Sequence, residues 1–155
     1  MSRAFVKDDD GGQGNEDLPD RLISDHANLV TPEGLAQIEA EVARWSAAYA
    51  EAQTSGDRIA LLRVARDLRY WTARRGSAEL QSAPAYDGAV HFGSRVTILR
   101  NDGSRHTYAI VGEDEADPAK GSISYTSPLA QALMGKSAGD SVRAGAGQAE
   151  VVSVV

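Results

Sequence analysis

The chain of 155 residues is long enough to bury one sizeable core or to form two small units. Its formal net charge of −6 argues against direct binding of duplex DNA, which requires a basic surface to neutralise the phosphates. Because it contains no cysteine and no run of about 18 apolar residues, the sequence excludes disulfides and thiolate metal sites, predicts no membrane segment, and fits a cytoplasmic protein.

Residues 1–30 form an acidic segment with few large apolar side chains. Seven acidic residues stand against three basic ones, with glycines between them. Such a segment cannot offset its ordering entropy by burial, so we expect a disordered acidic tail. Its last residues, Leu29 and Val30, are expected to pack onto the rest of the chain. A solubilising leader without a partner is an equally good interpretation.

A helical hairpin is predicted over residues 31–80. Thr31 supplies a capping hydroxyl before Pro32, which suits the first helical position. Apolar residues at alternating steps of three and four then mark a coiled-coil seam, and a second helix repeats it after the turn at 54–57. Each arm has a length on the order of 30 Å. The predicted seam consists of Leu35, Ile38, Val42, Trp45 and Tyr49, then Leu61, Val64 or Ala65, Leu68, Trp71 and Arg75, with Arg74 outside it.

The C-terminal half has the periodicity of β-strands. Residues 81–88 are turn formers and are predicted to be a linker. A turn at 101–104 between two alternating runs indicates a β-hairpin, so residues 89–155 are predicted to form a small α+β domain. Strands are predicted over 95–99, 105–111, 122–125, around Val142 and over 150–155, with a short helix over 129–134.

Three stretches resemble the Gre family of transcription elongation factors. They are residues 31–35 (Thr-Pro-Glu-Gly-Leu), residues 92–97 (Phe-Gly-Ser-Arg-Val-Thr) and the run 110–140, which contains Ser-Pro-Leu-Ala-Gln-Ala-Leu-Met-Gly-Lys. The resemblance covers residues 29–155. It implies an α+β protein with an N-terminal antiparallel coiled-coil hairpin followed by a small FKBP-like β-rich domain.

The resemblance also implies a function. In the family, the hairpin enters the secondary channel of RNA polymerase and the C-terminal domain docks on the rim of that channel. This chain is therefore expected to bind RNA polymerase core as a monomer and to regulate transcription elongation without a cofactor of its own. In cleaving members the hairpin turn carries Gly-Asp and, three residues after the aspartate, a glutamate. These carboxylates help to hold a second Mg²⁺ in the polymerase active site, because this hard cation prefers oxygen ligands.

The hairpin turn of this sequence departs from the cleaving pattern. Gly56 and Asp57 are present, but Ala60 stands three residues after the aspartate, and the arms are shorter than in cleaving members. Asp57 is either a tip acid or a helix cap. Because inhibitory and short-hairpin members of the family occupy the channel without cleaving, we expect weak or no stimulation of transcript cleavage. A cleavage-competent factor that uses Asp57 is the alternative, and in neither case is the chain itself expected to be an enzyme.

Two groups of residues are candidates for contacts with polymerase. Three arginines three residues apart in the second helix would face the acidic wall of the channel, would meet nucleotide phosphate, or would simply be solvated. Ser127 and Pro128 match the rim-docking loop of the family, but Thr126 stands where an aspartate or asparagine is usual and keeps an acceptor without the charge. A helix cap is the plainer interpretation of the serine. The three histidines lack carboxylates at ligand spacing, so no metal site is predicted. The candidate contacts are Arg63, Arg66, Arg69, Thr126, Ser127 and Pro128.

Two other classes of protein stay open at this point. The hairpin could serve a polymerase-independent coiled-coil adaptor. An FKBP-like prolyl isomerase would need an aromatic-lined apolar pocket, for which the C-terminal half offers only Tyr86, Phe92, Tyr108 and Tyr125. The acidic run from Glu113 to Asp117 is interpreted as a solvated loop.

Overall fold

The computed structural model describes residues 18–155, which divide into two compact units. The helical unit comprises residues 18–24 and 39–76, and the β-rich unit comprises residues 25–38 and 77–155. Residues 1–17 of the predicted acidic tail lie outside the described residues. In the part of the chain that the structure describes, no helix is long and apolar enough to span a membrane.

The predicted hairpin is built from two helices, α1 (Pro32–Ser55) and α2 (Arg58–Ser77). Helix α1 begins as its sequence predicts, because the Gly34 amide donates to the Thr31 hydroxyl at 2.9 Å and satisfies one of the open N–H groups of the first turn. The helices contain 24 and 20 residues. At 1.5 Å per residue their lengths are about 36 and 30 Å.

The inward face of α2 differs from the predicted seam at its C-terminal end. The prediction placed Arg75 in the seam and Arg74 outside it, but Arg74 is 2% exposed and Arg75 is exposed. Arg74 shares a helix face with Asp67 and Tyr70, because residues three, four and seven apart align on a helix. Arg21 lies against Asp67 and Tyr70. The buried surface of α2 therefore includes a stripe that the heptad pattern does not contain.

A two-stranded sheet in the β-rich unit was not predicted. Leu29 and Val30, assigned to the end of the acidic tail, form β1 (Leu29–Val30), which pairs in parallel with β2 (Glu79–Leu80). The Glu79 amide donates to the Asn28 carbonyl at 2.8 Å, and Val30 is 3% exposed. Residues 81–88, predicted as a linker, contain no helix or strand.

The main sheet of the β-rich unit has five strands. The elements from Arg95 onward are β3 (Arg95–Arg100), β4 (Arg105–Val111), a 3₁₀ helix (Pro118–Lys120), β5 (Ser122–Ser124), α3 (Pro128–Leu133), β6 (Ser141–Ala144) and β7 (Gly147–Val154). The strand order is β5-β4-β3-β7-β6. Strands β4 and β5 are parallel, and the other neighbours are antiparallel. The predicted α+β class, with a helical hairpin followed by a small FKBP-like β-rich domain, is confirmed.

The core of this unit is formed by the apolar side chains that alternate with polar ones along its strands. Val96 and Ile98 of β3 are fully buried, whereas the intervening Thr97 hydroxyl bonds to that of Thr107 at 2.8 Å on the other face. Ile110, Leu133 and Val151 join the same buried cluster. In the turn between β3 and β4, the Asp102 carboxylate accepts bonds from the hydroxyl and the amide of Ser104, and these bonds lower the pKa of Asp102 below its usual range.

The acidic run between β4 and β5, interpreted from the sequence as a solvated loop, is half-buried. The Thr31 hydroxyl, which caps α1, also donates to the Glu115 carboxylate at 2.7 Å. One oxygen of Glu113, Oε1, is buried without a hydrogen-bond partner among the described residues. The loop is therefore part of the packing around the start of α1. Its Glu115 accepts a hydrogen bond from Thr31, whose hydroxyl is already held in position because it caps the helix.

Replacing Gly112 with alanine is expected to destabilise the β-rich unit by about 1–3 kcal/mol. A Cβ atom at Gly112 would lie 2.3 Å from the backbone oxygen of Leu29, so β1 would have to shift. Gly76→Ala is the matched control, because nothing lies within 4 Å of its added Cβ and alanine is the better helix former. Chemical denaturation measures both changes. Equal stability of the two variants would show that the approach of β1 to Gly112 is not tight.

Candidate functional site

The tip of the hairpin is a tight turn closed by its own side chains. Helix α1 ends at Ser55, Gly56 adopts the left-handed conformation with φ 73°, and α2 begins at Arg58. The Asp57 carboxylate accepts a bond from the Ala60 amide at 3.1 Å. The Asp57 amide in turn donates to the Ser55 hydroxyl at 3.3 Å. Asp57 is thus an N-cap of α2, the plainer of the two roles predicted for it.

The surroundings of Asp57 offer little for a metal ion. A shallow groove of about 380 Å³ lies beside the turn, and the residues that line it include Arg58 and no acidic side chain. Glu51, about one turn before the end of α1, is exposed. Within residues 18–155 no group of three or more His, Asp or Glu side chains is placed to hold a metal ion.

The three candidate arginines of α2 do not share one environment. Arg63 is exposed, whereas Arg66 is half-buried and its Nε atom is buried without a partner among the described residues. The Nε atom of Arg69 donates to the Asp20 carboxylate at 2.7 Å. Steps of three residues turn each arginine about 60° from the last, so the three side chains are spread over about 120° of the surface of α2.

The Thr-Ser-Pro loop is an ordered cap at the start of α3. The Ser127 hydroxyl accepts a bond from the Ala130 amide at 3.3 Å, and Pro128 occupies the first helical turn. The Ser124 and Thr126 hydroxyls bond to each other at 2.7 Å. Pro128 is exposed, whereas Ala130 and Leu133 of the same helix are fully buried. The loop therefore presents Pro128 from a helix that is anchored in the core.

Contacts of the neighbouring Tyr125 also hold this loop in place. The Tyr125 amide donates to the Val111 carbonyl at 2.9 Å and continues the pairing of β5 with β4. The Tyr125 ring meets Phe92 edge-on with centroids 5.7 Å apart. The Gln131 side chain donates to the Tyr125 carbonyl at 2.6 Å. A contact surface on such a loop would need little ordering on binding.

The aromatic side chains of the β-rich unit do not form one cluster. Phe92 pairs with Tyr125, Tyr108 stacks on His106, and Tyr86 is 81% exposed. They do not assemble the aromatic-lined pocket that a prolyl isomerase requires. The isomerase alternative therefore gains no support from this geometry.

The contacts between residues 18–24 and α2 were not predicted from the sequence. Asp20 bonds to Arg69, and Arg21 donates to Asp67 at 3.0 Å while its guanidinium lies 3.8 Å from the centroid of the Tyr70 ring. The signal that could have indicated them is the contrast in charge between an acidic N-terminal segment and a helix with six arginines and one aspartate.

These features define a protein in which a helical hairpin with a capped Gly-Asp tip precedes a mixed-sheet domain with an ordered Ser-Pro loop. Residues 85–155 match the family described as "Transcription elongation factor, GreA/GreB, C-term". A transcription elongation factor GreA from Ruegeria pomeroyi is 33% identical over 138 residues, which cover 73% of this chain and 85% of that protein. The chain belongs to the GreA/GreB family of transcription elongation factors.

Other relatives match over shorter segments or at lower identity. A transcription elongation factor GreA from Hyphomonas neptunium is 52% identical over 71 residues, which cover 43% of this chain and 45% of that protein. Among solved structures, the GreA factor homolog 1 (Gfh1) of Thermus thermophilus is similar, with 18% identity, a TM-score of 0.40, and coverage of 84% of this chain and 99% of that chain.

Proposed function

We propose that this chain binds the core of RNA polymerase, with its hairpin in the secondary channel, and modulates elongation with weak or no stimulation of transcript cleavage. The observation that carries the proposal is the tip, where Asp57 is the only acidic residue of the turn at 54–57 and is already bonded to the Ala60 amide. The family's cleaving members have a glutamate at the position that Ala60 occupies.

The chemistry of the tip supports occupancy without cleavage. Mg²⁺ requires oxygen ligands at near-ideal octahedral geometry, and a second carboxylate near the ion supplies both a ligand and charge. The residues after Asp57 are Arg58, Ile59 and Ala60, which are basic or apolar. A positive charge on the residue that follows the single carboxylate opposes the approach of a cation. The Mg²⁺ of the reaction belongs to the polymerase, and the chain acts on the polymerase rather than as an enzyme.

Two surfaces are proposed to hold the chain on polymerase. The loop of Thr126, Ser127 and Pro128 would meet the rim, and the arginines of α2 would face the acidic wall of the channel. Exposed Pro128 and exposed Arg63 support these assignments. By occupying the channel, a monomer of the chain would compete with cleaving relatives or obstruct the entry of nucleotides.

A cleavage-competent factor is the second candidate, favoured by the position of Asp57. Its side chain is exposed at the end of the hairpin. A cap uses one carboxylate oxygen, so the other oxygen could still reach a metal ion if the hairpin is long enough.

Binding to polymerase core tests the proposal directly. The labelled chain is titrated with core enzyme, and a cleaving GreA is then added as a competitor. We expect saturable binding that the competitor displaces, because both would occupy one channel. No binding to core, or binding that the competitor leaves unchanged, would remove the channel assignment and favour the coiled-coil adaptor.

Replacing Ser127 and Pro128 together with alanine is expected to weaken polymerase binding by about 1–2 kcal/mol, which is roughly 5- to 30-fold in Kd. The matched control is Arg105→Ala, an exposed residue at the far end of β4 from the loop. A Ser127→Asn variant retains a capping side chain and separates helix capping from contact. Unchanged affinity of the double variant, with circular dichroism preserved, would refute the docking role of the loop.

A further inference from the structure

The hairpin of β3 and β4 carries a group of side chains that the proposed function does not use. Val96 pairs with Tyr108, and Ile98 pairs with His106. Paired residues point to the same face of a sheet, and Val96 and Ile98 are buried in the core, so both rings stand on the core face. Tyr108 is half-buried against the core, whereas His106, which is closer to the turn, is exposed. The core face therefore ends in an aromatic ring that solvent reaches.

The rings of His106 and Tyr108 are nearly parallel. Their planes differ by 19° and their centroids lie 6.1 Å apart, within the range of offset stacking. Arg100 lies on the same face, because it follows Ile98 by two residues along β3. Its Nη2 atom donates to the Tyr108 hydroxyl at 3.3 Å. Two aromatic rings and one guanidinium therefore share this side of the hairpin.

Hydrogen bonds in the turn fix the orientation of the His106 ring. The Ser104 hydroxyl donates to the Asp102 carboxylate at 2.6 Å. Because a hydroxyl has only one proton, Ser104 must accept the second bond, which joins it to the Nε2 atom of His106 at 3.2 Å. His106 is thus held at its edge by Ser104 and on one face by Tyr108. A ring that is already held in position loses little freedom when a ligand binds to it.

The hairpin is positively charged, although the chain as a whole is acidic. Residues 95–111 contain three arginines and a single acidic residue, Asp102, whereas the net charge of the chain is −6. The Asp102 carboxylate already accepts bonds from the hydroxyl and the amide of Ser104. Within residues 18–155, none of the three guanidinium groups forms an ion pair. These charges favour an anionic ligand over a neutral one such as a sugar.

We propose that this side of the β-hairpin binds a nucleotide unit, with its base stacked on the His106 ring and its phosphate held by the Arg100 guanidinium. Bases that are not paired stack on aromatic side chains, including histidine, and a planar guanidinium binds phosphate through two parallel bonds. A single strand of nucleic acid and a free nucleotide share this chemistry. Duplex DNA does not, because its bases are already stacked on their neighbours. The site lies within the β-rich unit, and its binding does not require polymerase.

An NMR titration of the full chain tests the proposal. Hexa-adenylate RNA and adenosine monophosphate are added in separate experiments, and the ring signals of His106 report on stacking. We expect saturable shifts of these signals and of the amides of residues 105–108. Replacing His106 with alanine should weaken binding at least about fivefold, as the loss of one stacked base generally does. His106→Phe keeps an aromatic surface and should retain most of the affinity.

Two arginines of the hairpin form a matched pair for the phosphate contact. Arg105 adjoins His106 in sequence but pairs with Leu99, so it stands on the opposite face of the sheet. Arg100→Gln and Arg105→Gln remove the same charge. The first should lower the affinity for hexa-adenylate and its dependence on salt, because one phosphate contact is lost. The second should change the affinity by less than about twofold, since salt screens a charge that makes no contact.

Three results would overturn the proposal. They are unmoved His106 signals with both probes at millimolar concentration, equal affinity of His106→Ala and the natural chain, and equal losses in Arg100→Gln and Arg105→Gln. Binding of a short duplex DNA as tight as that of hexa-adenylate would also contradict it, because attraction of phosphates alone would then explain the binding. Tighter binding of hexa-adenylate than of the mononucleotide would identify a single strand as the ligand, and equal binding would identify a free nucleotide. If Arg100→Gln disturbs the amide spectrum outside the hairpin, the comparison of His106→Ala with His106→Phe decides.

Discussion

Replacing Ile110 with aspartate is expected to unfold the β-rich unit. Ile110 has no exposed surface and lies in the cluster formed by Ile98, Leu133 and Val151. A carboxylate at this position would be buried without a partner, which costs several kcal/mol even if it becomes protonated. Because whole domains are stable by only about 5–15 kcal/mol, one such group can remove the folded state.

Amide hydrogen exchange measures the loss and locates it. The amides of β3, β4 and β7 should lose their protection in Ile110→Asp, since β3 pairs directly with both β4 and β7. Ile110→Val is the matched control and should cost only about 0.5–1.5 kcal/mol. Retained protection in the aspartate variant would mean that Ile110 does not lie at the centre of the core.

The hairpin of β3 and β4 in the main sheet could be predicted because its pattern is local. Val96 and Ile98 alternate with polar residues, and residues 101–104 form a turn, so β3 and β4 are expected to pair from sequence alone. The start of α1 is equally local, since Thr31 and Pro32 determine it within one turn. Elements that are specified by adjacent residues can therefore be predicted from the sequence.

Other parts of the fold depend on residues far apart in the chain. Strands β1 and β2 have two residues each, and their pairing joins residues about 50 positions apart, which no periodicity in so short a segment can indicate. The burial of Arg74 could not be predicted from the heptad spacing either, because that spacing describes only the face that meets the other helix. The bond between Asp20 and Arg69 arises from matching charges, which favour a partner but do not specify it.

The sequence predicts which residues lie at the candidate site, but not which role each of them has. Asp57 and Ser127 are each expected from the sequence either to cap a helix or to contact polymerase, and both are caps. Capping uses one hydrogen-bonding position of each side chain. A capping side chain can therefore still contact a partner, and binding and cleavage measurements with polymerase distinguish the two roles.

The natural chain is expected to raise the rate of transcript cleavage by less than about tenfold in backtracked elongation complexes, which corresponds to under about 1.4 kcal/mol of barrier. The tip supplies one carboxylate, and Arg58 comes directly after it. Ala60→Glu restores the second acid of the cleaving pattern in the first turn of α2, where a glutamate also suits the helix dipole. If the hairpin is long enough, this variant should stimulate transcript cleavage more strongly than the natural chain does. The increase should be largest at low Mg²⁺ concentration, because an added ligand matters most when the ion is scarce.

A titration of Mg²⁺ with the natural chain, Asp57→Ala and Ala60→Glu separates the possible causes. Asp57→Asn is the matched control for the cap, since asparagine caps a helix as well as aspartate but carries no charge. Cleavage in Ala60→Glu alone would show that the missing acid limits cleavage by the natural chain. If no variant stimulates cleavage, the length of the arms limits it instead. Strong cleavage by the natural chain that disappears in both Asp57→Ala and Asp57→Asn would contradict the proposed function, because a single charged tip would then be sufficient.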